Sequence, residues 1–188
     1  MAGRPSEHRC RFGVVWRLRE TDLDAVMSSR EFLHHWEQDP PYPPEDFSIE
    51  DNLADLELMD KAHREGARYT YTVLNRDETK ALGCIYLLPS DDRFYRTAVL
   101  TSHDGTDLSS IDATISFWVR TSTWDSGFER DVLEAVLGWL RDDWALEQPV
   151  VITNEKLEHQ TATIESLGLI RRFDYDRDKD MYTSHAYA

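Results

Sequence analysis

The stretch DATISFWVRTSTWDSGFERDVLEAVLGWLRDDW, residues 112–144, decides how the rest of the chain is arranged. Ile115, Phe117 and Val119 alternate with Thr114, Ser116 and Trp118, which is the period of a strand. From Phe128 onward, Val132, Leu133, Val136, Leu137, Trp139, Leu140 and Trp144 follow helical steps and give one wide apolar face. Between them TSTWDSG is rich in turn and capping residues, with Asp125 or Ser126 placed to cap the first helical turn. A strand feeding a helix N-terminus gathers unpaired N–H donors and the positive end of the helix dipole at one point. Such a point suits an anion, phosphate above all; the plain alternative is an ordinary strand–helix connection in an α/β core.

Composition narrows the classes. The chain has 188 residues, enough for one domain with its own core, with 40% apolar and 30% charged residues. A formal net charge of −15 disfavours nucleic acid and anionic membrane as partners. It leaves room for a basic substrate. Cys10 and Cys84 have no metal-ligand spacing and make no disulfide framework, which points to a reducing, cytoplasmic setting. The N-terminal MAGRPSEHRCRFG lacks the apolar run of a signal peptide, and residues 1–11 form a loose polar arm. His34 and His35 are adjacent and diverge on a helix, so no metal site is expected.

In chain order, Phe12–Leu18 suits a first strand, and Glu20-Thr21-Asp22 supplies a cap ahead of Leu23, Val26 and Met27. PPYPP breaks any helix near residues 40–44; Ser48 then caps a helix that stops at Gly66. Arg68–Leu74 and Lys80–Leu88 make a hairpin around NRDET, with Cys84 a buried thiol. Residues 89–110 are turn-rich, an extended loop or an added hairpin. Pro149–Thr153 is a short buried strand, Asn154–Ser166 a helix ending at Gly168, and MYTSHAYA an edge strand. Trp139 and Trp144, with Trp118 nearby, mark either core or an interface, and the chain is a monomer or a homodimer.

These pieces resemble the GNAT-type N-acetyltransferase superfamily. NLADLE, YTYTVL, GCIYLLP, SFWVR and WLRDDW stand in the order of a bacterial GNAT-like group without an assigned substrate, covering residues 48–144. In the superfamily a strand ends in Val, and a loop of the form (Q/R)-x-x-G-x-(G/A) wraps the acetyl-CoA pyrophosphate. Setting Val119 on that Val, without a gap, puts Trp124 on the Gln/Arg position, Gly127 on the central Gly and Glu129 on the last Gly/Ala. One signature position of three is kept. The resemblance implies an α/β (α+β) GNAT-like fold, a mixed and mostly antiparallel central sheet flanked by helices, in a single domain.

It also implies acetyl-CoA as co-substrate and a small-molecule or peptide amine as acceptor, attacked directly within a ternary complex. A splayed pair of parallel strands would admit the pantetheine arm. The cofactor-binding residues expected on this basis are Phe117, Val119, Trp124, Ser126, Gly127, Phe128 and Asn154. The Tyr that many members carry before a Gly-Phe pair falls on Ile164, which has no proton to give. Asp112, Ser116 and His159 are the polar catalytic candidates that remain. The competing reading is a GNAT-fold binding or regulatory protein with a degenerate CoA site and no catalysis. Trp124 and Glu129 divide the two readings.

Overall fold

The computed structural model describes residues 18–37, 41–89, 98–107, 110–176 and 182–188. The expected strand at Phe12–Leu18 lies outside them apart from Leu18, as does the arm at residues 1–11. Among the described residues the α-helices are, in chain order, α1 (Arg19–Ser28), α2 (Arg30–Trp36), α3 (Ile49–Arg64), α4 (Phe128–Asp143) and α5 (Glu158–Ser166). The strands are β1 (Tyr69–Leu74), β2 (Ala81–Pro89), β3 (Val99–Ser102), β4 (Ala113–Val119), β5 (Pro149–Asn154), β6 (Arg171–Asp176) and β7 (Ser184–Tyr187). They form one seven-stranded sheet in the order β1-β2-β4-β5-β7-β6-β3, antiparallel at every pair except the parallel β4–β5. The mixed, mostly antiparallel sheet matches the expected class.

Strand β4 is buried on both faces because helices cover both. Ile115, Phe117 and Val119 pack with Phe128, Val132, Leu133, Val136 and Leu140 of α4. Trp118 points the other way, among Ala25 and Val26 of α1, Phe32 and Leu33 of α2, and Cys84. Each such apolar side chain contributes about 1.5–3 kcal/mol when fully buried. Gly83, paired with Val119, lets β2 and β4 approach: a Cβ there would sit 2.8 Å from the Val119 Cα.

Four local expectations need correction. Glu20, Thr21 and Asp22 lie inside the first turn of α1 instead of capping it, and Thr21 Oγ1 accepts the Ala81 N–H at 2.9 Å. Asp22 is buried and takes the Asn52 amide at 3.2 Å, so a tertiary partner outcompetes the local cap. Strand β7 is not an edge: it runs between β5 and β6 with all four residues buried. The edge on that side of the sheet is β3, from the turn-rich 89–110 segment, paired to β6. Helix α5 starts at Glu158, because Asn154 closes a turn instead of entering the helix: its Oδ1 accepts the Lys156 N–H at 2.9 Å. The Ser48 cap forms as a full capping box with Asp51, and the thiol of Cys84 is buried, which pushes its titration up.

Candidate active site

Strands β4 and β5 pair over Ala113–Ile115 and Pro149–Val151 only, and no further rung joins them. Beyond Ile115 each keeps its outer neighbour, β2 for one and β7 for the other. The sheet therefore opens into a gap toward the C-terminal ends of the two strands. Gln160, fully buried on α5, donates its Nε2 to Phe117 O at 2.8 Å and fills part of that gap. This bond also fixes which backbone groups face the opening. Alternate residues of a strand present both N–H and C=O to the same side, so Val119 N–H faces the gap with Phe117.

At the mouth lies a cavity of about 450 Å³ lined by residues of three origins. Ser28, Ser29, Glu31, Phe32 and His35 come from the α1–α2 corner. Thr121 and Trp124 come from the turn after β4, Lys156 and Leu157 from the turn before α5, and Glu158 and His159 from its first turn. Arg120 anchors the first group to the second. It is 3% exposed, with Nε on Ala81 O (2.7 Å), NH2 on Thr21 O (2.9 Å), and NH1 on Ser28 Oγ (3.0 Å) and the Asp24 carboxylate (2.7 Å). Asn154, a predicted cofactor residue, ties the end of β5 to α2 by donating its Nδ2 to His35 O at 2.7 Å.

The connecting turn is wound more tightly than expected, as a 3-10 helix over Thr121–Ser126. The predicted cap by Asp125 or Ser126 is absent. Ser126 Oγ donates back to Thr123 O at 2.5 Å, and Gly127 is the N-cap of α4 at φ 74°, a backbone geometry glycine reaches without strain. Phe128 packs in the core. Trp124 stacks on the His159 imidazole at 4.3 Å and 12°, and meets the edge of Phe32 at 5.3 Å.

Glu129, on the last Gly/Ala position of the signature, turns inward: it is 1% exposed, and its Oε2 lies 2.9 Å from His159 Nδ1 and accepts from Thr163 Oγ1 at 2.8 Å. Burial raises its pKa against the lowering pull of these two partners. The pairing was missed because Glu129 and His159 lie on different helices with no spacing signal. Arg120, also missed, carries the one clue of a charge abutting a fully buried Val119.

The other catalytic candidates sit elsewhere. Asp112 is at the opposite end of β4, where Oδ2 accepts the Glu147 and Gln148 N–H groups at 2.7 and 2.8 Å. Ser116 is half-buried at the middle of the strand, opposite Tyr86, and is not among the cavity's lining residues. His159 lines the cavity. Ile164 is buried in the core. Among the described residues no group of three His, Cys, Asp or Glu could hold a metal ion, and no helix is long and apolar enough to cross a membrane.

An acyl thioester on a pantetheine arm fits this opening. The gap presents strand backbone, and Trp124 Nε1 and Gln160 Oε1 are a buried donor and acceptor without hydrogen-bond partners. An arm bearing amides supplies the complement of both. For a diphosphate there are Lys156 and the positive end of the α4 dipole, with the Glu129 charge turned toward His159.

Comparison with known proteins agrees with the architecture. The chain matches the model of the acetyltransferase (GNAT) domain over residues 14–170. No curated protein matches it. Among solved structures it is similar to the ribosomal-protein-S5-alanine acetyltransferase of Vibrio fischeri, at 12% identity and a TM-score of 0.68, covering 100% of this chain and 94% of that one. The microcin C7 self-immunity acetyltransferase MccE, solved with acetyl-CoA and AMP, shares 11% identity at a TM-score of 0.72, covering 97% and 92%. An acetyltransferase of Salmonella typhimurium that modifies the N-terminal serine of a 50S ribosomal subunit protein shares 12% at 0.68, covering 97% and 94%. At such identities the structural likeness speaks for the fold, and the family model, spanning most of the chain, speaks for kinship. With its splayed β4–β5 pair and a helix rising from the turn beyond, the chain belongs to the GNAT acetyltransferase-domain family.

Proposed function

We propose that the chain transfers an acetyl group from acetyl-CoA to an amine of a small molecule or a peptide, by direct attack in the cavity at the open end of β4. The observation that carries this reading is the divergence of β4 and β5 beyond Ile115 with a cavity of about 450 Å³ at its mouth. The thioester supplies an activated acyl carbon and a thiolate leaving group.

The chain's own residues supply the rest. Val119 N–H, facing the gap, is placed to polarise a carbonyl as charge develops on its oxygen. Phe117 backbone, Gly127 and the first turn of α4 hold the arm and its phosphates, with Trp124 and Phe32 keeping water out. Glu31 and Glu158 at the mouth favour a cationic amine, in line with the net charge of −15. Holding both reactants in one cavity accounts for much of the acceleration without a covalent enzyme intermediate. A reducing compartment suits the buried Cys84.

Calorimetric titration with acetyl-CoA tests the reading. Saturable heat is expected, weakened by Gly127→Val, whose β-branched side chain resists the left-handed φ at the head of α4. No heat at millimolar acetyl-CoA would discard the enzyme and leave a binding or regulatory protein on the same fold.

A further inference from the structure

We infer that Nε2 of His159 is the proton acceptor of this cavity and that Glu129 is the positioning residue that holds it there. The inference deepens the acyl-transfer reading and rests on it for its chemistry, but its geometry stands alone. His159 Nδ1 lies 2.9 Å from the carboxylate of Glu129, which is 1% exposed, and His159 itself is 42% exposed and lines the cavity. A carboxylate accepts and cannot donate, so it selects the tautomer with the proton on Nδ1. Nε2 is then the nitrogen with a lone pair, on the side of the ring left for a substrate.

Two further contacts hold the ring. Trp124 stacks along one face at 4.3 Å, and Thr163 Oγ1 fixes the carboxylate at 2.8 Å. Carboxylate, imidazole and cavity thus stand in line across α4 and α5, as in other sites where a buried acid orients a histidine base. In the reaction, a cationic amine first releases one proton to solvent; its nitrogen then bonds to the acyl carbon and passes a second proton to Nε2. The C–S bond breaks, and the leaving thiolate takes the proton from the imidazolium. The titratable and charged groups that face the ring or line the same cavity are Glu129 from α4, Lys156 from the turn before α5, Glu158 at the start of α5, and Glu31 and His35 from α2.

The full chain with 15N-labelled histidine gives the test at neutral pH. His159, assigned with His159→Gln, is expected as the Nδ1–H tautomer, and Glu129→Gln should turn it toward the Nε2–H form. Carbethoxylation by diethyl pyrocarbonate, read by mass spectrometry, reports the Nε2 lone pair directly. Its rate at His159 should fall about tenfold or more in Glu129→Gln. Thr163→Val, which keeps the Glu129–His159 pair, should lower it less, and Glu129→Asp should restore part of the loss. Equal rates and equal tautomers in parent and Glu129→Gln overturn the inference. Absence of acetyl-CoA heat with the tautomer effect intact sinks the acyl-transfer reading and leaves the dyad standing.

Discussion

At Ala113–Ile115, β4 lies in register with β5, and the Asp112 carboxylate binds two backbone N–H groups of the chain that leads into β5. At Ser116–Val119 the same strand has no strand neighbour on that side; a glutamine amide and a cavity replace it. At the closed end the strands pair backbone to backbone, fastened by the Asp112 carboxylate. At the open end the amide of Gln160, from α5, bonds Phe117 O in place of a strand, and Gln160 Oε1 and Trp124 Nε1 are left without partners. Satisfied backbone rigidifies, whereas side-chain substitutes are what a ligand can displace. Function is therefore expected at the open end, although the polar side chain nearest in sequence to the strand, Asp112, stands at the other.

The comparison can be broken from either end. The largest effect is expected of Gly83→Ala, on the β2 side of the open end. The added Cβ meets the backbone of Trp118 and Val119, which has no free rotamer to yield. A loss of about 3 kcal/mol or more is expected from such overpacking, measured by urea denaturation. Next comes Arg120→Ala, which strips hydrogen bonds from Ala81, Thr21 and Ser28. About 2–4 kcal/mol should be lost, together with acetyl-CoA affinity, because the α1–α2 corner is no longer tied to the turn.

Asp112→Ala should cost about 1–2 kcal/mol through two lost N–H acceptors, with acetyl-CoA heat unchanged. Abolished transfer by a folded, acetyl-CoA-binding Asp112→Ala would reverse the roles assigned to the two ends. The smallest effect is a pH dependence at Glu129. Burial raises its folded-state pKa, so the stability it contributes is full below its unfolded value near 4.5 and fades as pH rises through the raised one. Thermal unfolding of Glu129→Gln against the parent should therefore shift in favour of the variant as pH rises from acid to neutral.

What was legible in the sequence follows the same division. The hairpin, β4 and α4 announced themselves because their apolar periods are long and each is finished locally. β7 was misplaced to an edge because four residues, Ser184–Tyr187, carry too short a pattern to show that both sides are paired. The turn after β4 was read as a loop capped by Asp125 or Ser126, whereas hydrogen bonds within Arg120–Gly127 wind it up. Glu129 was legible as a departure from the GNAT signature and illegible as a partner of His159. Nothing in one chain's spacing relates two helices that a strand separates, and only tertiary packing brings them together.

Arg120 has a kinetic corollary. One guanidinium grips α1, whose end borders the cavity on one side, while its own peptide begins the turn that borders it on another. A ligand that shifts either wall must drag the other with it. A molecule bound against one wall should then change how tightly the other wall takes a second.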